Sequence, residues 1–156
     1  MRLNLILFFL ICNAIGVHAS QIDTVMVFSV SMNKSIPNIV ILPDSYPTQK
    51  EKFPVLYLLH GAGGDYTDWA SKVPIIKEYV NTYNMIVVCP DGGSTSWYFD
   101  SPIDAEMNYE TYLSKELIDT IDKKYNTSTK KSGRAITGLS MGGHGAFYLA
   151  FKHQDI

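Results

Sequence analysis

The chain has 156 residues, 46% of them hydrophobic, and carries 13 Lys+Arg against 15 Asp+Glu for a net charge of −2. That apolar share suits one globular domain, and no basic cluster exceeds a pair such as Lys130-Lys131, so nucleic acid is excluded as a partner.

Residues 1–19 carry one positive charge at Arg2, an apolar core from Leu5 to Ile11 and small or modest residues at Val17-His18-Ala19. This is the pattern of a secretory signal peptide, with cleavage expected after Ala19. The apolar core is too short to span a bilayer, so no stable membrane insertion is expected once it is removed. The destination is the periplasm or the extracellular space. Cleavage would also remove Cys12 and leave Cys89 alone, so stability must come from a core and not from an internal disulfide. Cys89 follows Ile86-Val87-Val88, which reads as a buried strand end and not as a nucleophile.

Thr24 to Met32 alternates as a strand does, Ile36 to Leu42 makes a second strand, and Asn33-Lys34 between them predicts the turn of an N-terminal hairpin. Val55 to Leu59 is an apolar run that reads as a buried strand. Pro74 can occupy the first turn of a helix with Ile75, Ile76, Tyr79, Val80 and Tyr83 on one sheet-covering face. Met85 to Val88 predicts another short strand. Leu113, Leu117, Ile118, Ile121 and Tyr125 recur at helical spacing, Arg134 to Thr137 is a run rich in β-branched residues, and an apolar stretch ending near Lys152 reads as a helix. From Val55 onward strand and helix alternate, which predicts an α/β fold with a mainly parallel sheet and helices on both faces.

Two glycine motifs stand at strand ends. Gly138-Leu139-Ser140-Met141-Gly142 occupies a strand-to-helix junction, the setting in which G-x-S-x-G is a nucleophile elbow. The spacing has a steric cause, because a serine in a sharp turn needs neighbours without bulk two residues away on either side. Ser140 is therefore the candidate catalytic nucleophile. His60-Gly61-Ala62-Gly63-Gly64 follows the Val55–Leu59 run and reads as an oxyanion-hole loop, which assigns the two stabilising N–H groups to Ala62 and Met141. The long Gly-rich, aromatic loop from Asp91 to Pro102 lies beyond a strand, where open α/β sheets bind ligands. Trp97 and Tyr98 are its candidate substrate-binding residues, expected to stack on an acyl or sugar group.

With these segments in place the chain resembles the esterase family of α/β-hydrolases that includes S-formylglutathione hydrolase, feruloyl and acetyl xylan esterases, and the mycolyltransferases. Tyr57 to Gly64, Ser96 to Ser101 and Gly138 to Gly143 carry the resemblance. It implies an α/β-hydrolase fold and a serine carboxylesterase acting on a small-molecule or polysaccharide-linked ester, with no metal and no organic cofactor. An acyltransferase of the mycolyltransferase kind and a non-catalytic carbohydrate-binding scaffold are the alternatives.

The family's acid and histidine follow the serine in chain order. Sixteen residues follow Ser140 here. They are filled by the predicted helix, which places His144, His153 and Asp155 poorly for a triad, while His60 is committed to the oxyanion loop. The triad Asp and His are thus expected outside these residues. Residues 20–156 are expected to form the N-terminal part of one α/β-hydrolase domain, lacking its C-terminal strands and inactive by itself.

Overall fold

The computed structural model describes residues 21–154. The signal peptide read over residues 1–19, including Cys12, lies outside them, as does Asp155.

The hairpin forms from β1 (Gln21–Ser29) and β2 (Lys34–Leu42), paired antiparallel with Gln21 opposite Leu42 and Ser29 opposite Lys34. The turn begins earlier than expected, at Val30, and Asn33 closes it with φ 50°, a left-handed conformation that asparagine tolerates. Next come β3 (Val55–Leu59), α1 (Asp68–Lys72), α2 (Ile76–Thr82) and β4 (Ile86–Pro90). A composite helix follows, formed by α3 (Tyr109–Thr111), a π-helical segment (Tyr112–Leu117) and α4 (Ile118–Lys124). The chain then enters β5 (Arg134–Gly138) and α5 (Met141–Lys152).

The five strands are ordered β1-β2-β4-β3-β5. β3 pairs in parallel with both β4 and β5, whereas β2 meets β1 and β4 antiparallel. The sheet is therefore mixed, with its parallel half where crossover helices join the strands and its antiparallel half where the hairpin attaches.

Helices cover both faces, and the pleat decides which residue goes where. Ile39, Ile41, Val87 and Cys89 point to the face of α2, while Val40, Leu42, Ile86 and Val88 point to the face shared by α4 and α5. β4 is buried along its whole length. One expectation fails at α2, where only Ile76 and Val80 are buried and Ile75, Tyr79 and Tyr83 are exposed. With seven residues the helix has two turns, so its stripe against the sheet is one i, i+4 pair wide. The Leu113–Tyr125 periodicity holds, because Leu113, Leu117, Ile118, Ile121 and Tyr125 all enter the core. Among the described residues β1 and β5 are the two sheet edges, and Ala135 and Thr137 are exposed along β5.

Candidate active site

The parallel register sets Leu59 opposite Gly138, so the chain leaves β3 and β5 at the same level and both glycine motifs emerge side by side. A Cβ placed on Gly61 would lie 3.6 Å from the Cβ of Ser140 and 3.3 Å from the carbonyl oxygen of Leu139. The two loops pack against each other through a residue with no side chain.

Ser140 has φ 54° and ψ −116°, an unfavourable conformation for any residue with a Cβ. The surroundings enforce it. A Cβ on Gly138 would stand 2.6 Å from the Gly142 carbonyl carbon and 2.7 Å from the Leu59 oxygen, and one on Gly142 would collide with the carbonyl oxygens of Leu59 and His60. The glycines let β3, β5 and α5 meet at a distance no side chain permits. Ser140 is exposed and is the N-cap of α5, with its carbonyl accepting the N–H of His144 at 3.0 Å. Its hydroxyl makes no hydrogen bond among the described residues. Met141 is the first helical residue, so its N–H has no partner within the helix and adds to the positive end of the helix dipole.

The opposing loop is held by His60, which is 2% exposed. Its Nε2 accepts the N–H of Gly92 at 2.9 Å, and its Nδ1 lies 2.8 Å from the carbonyl oxygen of Gly61. With both nitrogens occupied, His60 cannot take a proton from Ser140. Gly64 also donates to the Gly61 carbonyl, at 3.1 Å, and Gly63 donates to the Ser94 carbonyl at 2.8 Å, tying this loop to the aromatic one. Ala62 is exposed and its N–H donates to no acceptor among the described residues.

The aromatic loop separates its two candidate residues. Trp97 and Tyr98 have φ values of 53° and 62°, two consecutive left-handed residues without glycine. Their side chains then part, with Trp97 47% exposed and Tyr98 completely buried. The Tyr98 hydroxyl donates to the His60 carbonyl at 2.9 Å, its N–H donates to the Ser96 hydroxyl at 2.9 Å, and its ring fills the space above Gly92 and Gly145. Burial pushes the phenol well above its usual range, so it stays a donor. The expected stacking of Tyr98 on a substrate is thus corrected, since its ring is enclosed between the loop and α5 and anchors both. Trp97 keeps an open surface, edge-on to His144 with ring centroids 5.4 Å apart. Phe99 also meets His144 edge-on at 5.0 Å, and Tyr148 stacks on His144 at 6.1 Å. Tyr148 lies in no motif and reaches this group from α5 itself, while Phe99, part of the aromatic loop, joins it by packing on His144 and Tyr148.

No histidine among the described residues bonds to the Ser140 hydroxyl. His144 lies one turn into α5 within that aromatic group. His153 is 13 residues beyond Ser140, about 20 Å along a helix, and its Nε2 is 2.8 Å from Glu110 Oε1. Glu110 also accepts from the Tyr148 hydroxyl at 2.6 Å and from Lys152 Nζ at 3.0 Å. Burial raises the Glu110 pKa, but these donors outweigh it and hold the carboxyl below its usual range. This cluster fastens the far end of α5. Cys89 lies in the core with its thiol pushed up to about 12 by burial, the state of an inert structural cysteine. Among the described residues no group of His, Cys, Asp and Glu could hold a metal, and no helix is long and apolar enough to cross a membrane.

Residues 29–156 match the Esterase family model. An esterase of Mycobacterium tuberculosis is 37% identical over 117 residues, covering 73% of this chain and 25% of that protein. An acetyl esterase of Caldicellulosiruptor saccharolyticus is 32% identical over 133 residues, covering 81% of this chain and 49% of that protein. A solved ferulic acid esterase superposes with a TM-score of 0.77 at 35% identity, covering 88% of this chain and 55% of that one. The architecture is accordingly the α/β-hydrolase fold, of which this chain spans about half the length or less of these relatives.

Proposed function

The chain belongs to the esterase family, and from that premise we propose that the whole protein is a secreted serine carboxylesterase working through an acyl-enzyme on Ser140. The observation that carries this reading is the Leu59–Gly138 register, which sets a strained, exposed serine beside a loop with an uncommitted N–H.

In this mechanism Ser140 Oγ attacks the ester carbonyl carbon and the carbonyl electron pair moves onto oxygen. The N–H groups of Met141 and Ala62 hold that oxyanion, and each such donor typically contributes about 3–4 kcal/mol to the transition state. The Oγ proton passes to a histidine base, oriented by a carboxylate, that the rest of the protein supplies. Collapse expels the alcohol, which carries that proton away. Water then attacks the acyl-enzyme, giving one proton to the base and releasing the acid as Ser140 recovers its own. Among the described residues no histidine bonds to Ser140, so to residues 20–156 alone we assign the nucleophile and the oxyanion donors but no turnover.

The exposed Trp97 face, with Phe99 beside it, favours a flat aromatic acyl group such as feruloyl. Acetyl esters on polysaccharide are the smaller alternative, in keeping with the acetyl esterase relative. The leader pattern supports secretion or a periplasmic location, where such substrates are met. The test is ester turnover by the full-length protein and its Ser140→Ala variant, with and without an added alcohol acceptor. Hydrolysis lost on substitution is expected. Acyl transfer to the acceptor in preference to water would instead make the protein a transferase.

A further inference from the structure

The Ala62 N–H belongs to the peptide unit whose carbonyl is that of Gly61. The peptide bonds among the described residues are all trans, so this carbonyl and this N–H point in opposite directions within one plane. Whatever grips the Gly61 oxygen therefore sets the direction of the Ala62 hydrogen. The gripping groups are His60 Nδ1 at 2.8 Å and the Gly64 N–H at 3.1 Å.

His60 can do this in one tautomer. The Gly92 N–H donates to Nε2, so Nε2 carries no proton, and the neutral ring must bear its hydrogen on Nδ1, where it donates to Gly61. This assignment follows from the hydrogen-bond network. The ring is also fixed in place, since Tyr98 bonds to the His60 carbonyl and packs edge-on to the imidazole with centroids 6.0 Å apart. We propose that His60 is a positioning residue for the ester reaction, whose Nδ1–H tautomer, held by Gly92, orients the Ala62 N–H toward the oxyanion.

The inference rests on Ala62 being an oxyanion donor, and the two can be tested apart in the full-length protein. In His60→Asn the amide N–H stands where Nδ1 stood and can still reach Gly61. In His60→Gln the amide stands nearer the Nε2 position and cannot. With kcat expressed per serine titrated to completion by a fluorophosphonate, unfolded protein drops out of the comparison. The expected result is kcat lowered about 10²-fold in His60→Gln, recovery to within about tenfold of wild type in His60→Asn, and KM nearly constant. Equal kcat in the two variants, with Ala62→Pro strongly impaired, would overturn the role of His60 alone. Unchanged kcat in Ala62→Pro, which lacks that N–H, would overturn the donor reading beneath it. Independently of any variant, two-bond 1H–15N spectra of the wild-type protein should show His60 protonated on Nδ1 only. A proton on Nε2 near neutral pH would contradict the proposal.

Discussion

Gly142 lies so close to the carbonyl oxygens of Leu59 and His60 that a single methyl group does not fit between them. This contact sets how near α5, which begins after Ser140, comes to β3. Gly142→Ala must therefore push α5 away from β3, at a cost of about 1–3 kcal/mol for overpacking. Urea denaturation of the full-length protein measures the loss, and fluorophosphonate labelling of Ser140 should slow in parallel. An alanine variant as stable and as reactive as wild type would show that the junction is looser than described.

Tyr98→Phe keeps the ring that fills the space above Gly92 and Gly145 and removes only the hydroxyl. The buried His60 carbonyl then loses a donor, a defect worth about 1–3 kcal/mol. Equilibrium denaturation should find that destabilisation with the fold retained. No change would mean that ring packing alone anchors the loop.

Trp97→Ala separates substrate contact from structure. Because Trp97 is 47% exposed, stability should shift by no more than about 0.5 kcal/mol. Loss of one aromatic stacking contact, about 0.5–1.5 kcal/mol, should raise KM for a feruloyl ester roughly two- to thirteenfold and leave an acetyl ester nearly unaffected. Steady-state kinetics with both esters provides the comparison, and equal effects on both would remove Trp97 from the acyl site.

Glu110 makes stability depend on pH with a definite sign. Its carboxyl titrates below its ordinary value of 4.5 in the folded state, so its contribution is fully present above that value and is lost as pH falls through the lower folded one. Charged hydrogen bonds of this kind contribute about 1.5–3 kcal/mol. Glu110→Gln should therefore lower stability at pH 7, and the gap to wild type should narrow as pH falls below 4.5, as read from denaturation across that range. A gap between the two proteins that persists in acid would assign the effect to packing.

Much of this arrangement was legible in the sequence where one short-range signal had one physical cause. The Val55–Leu59 strand ends where its apolar run ends, and Gly138 and Gly142 mark the elbow because nothing larger fits there. Reading failed where the outcome depends on tertiary partners. The exposed side of α2 reads as core in the sequence because Ile75, Tyr79 and Tyr83 are apolar, although the short helix offers the sheet only Ile76 and Val80. Trp97 and Tyr98 are adjacent aromatics in one loop, and no local rule says that one faces solvent while the other is sealed beneath Gly145. The grip of His60 on its own loop needs Gly92, 32 residues away, and Glu110 needs α5, about 40 residues away, so neither had a motif.

The proposed function stands on Ser140 being an activated nucleophile in the full-length protein. Incubating the full-length protein and its Ser140→Ala variant with a fluorophosphonate, followed by intact-mass and peptide mass spectrometry, tests it most directly. One adduct on the peptide containing Ser140, absent from the variant, is the predicted result. No adduct on folded wild-type protein, or one that survives the substitution, would contradict the account.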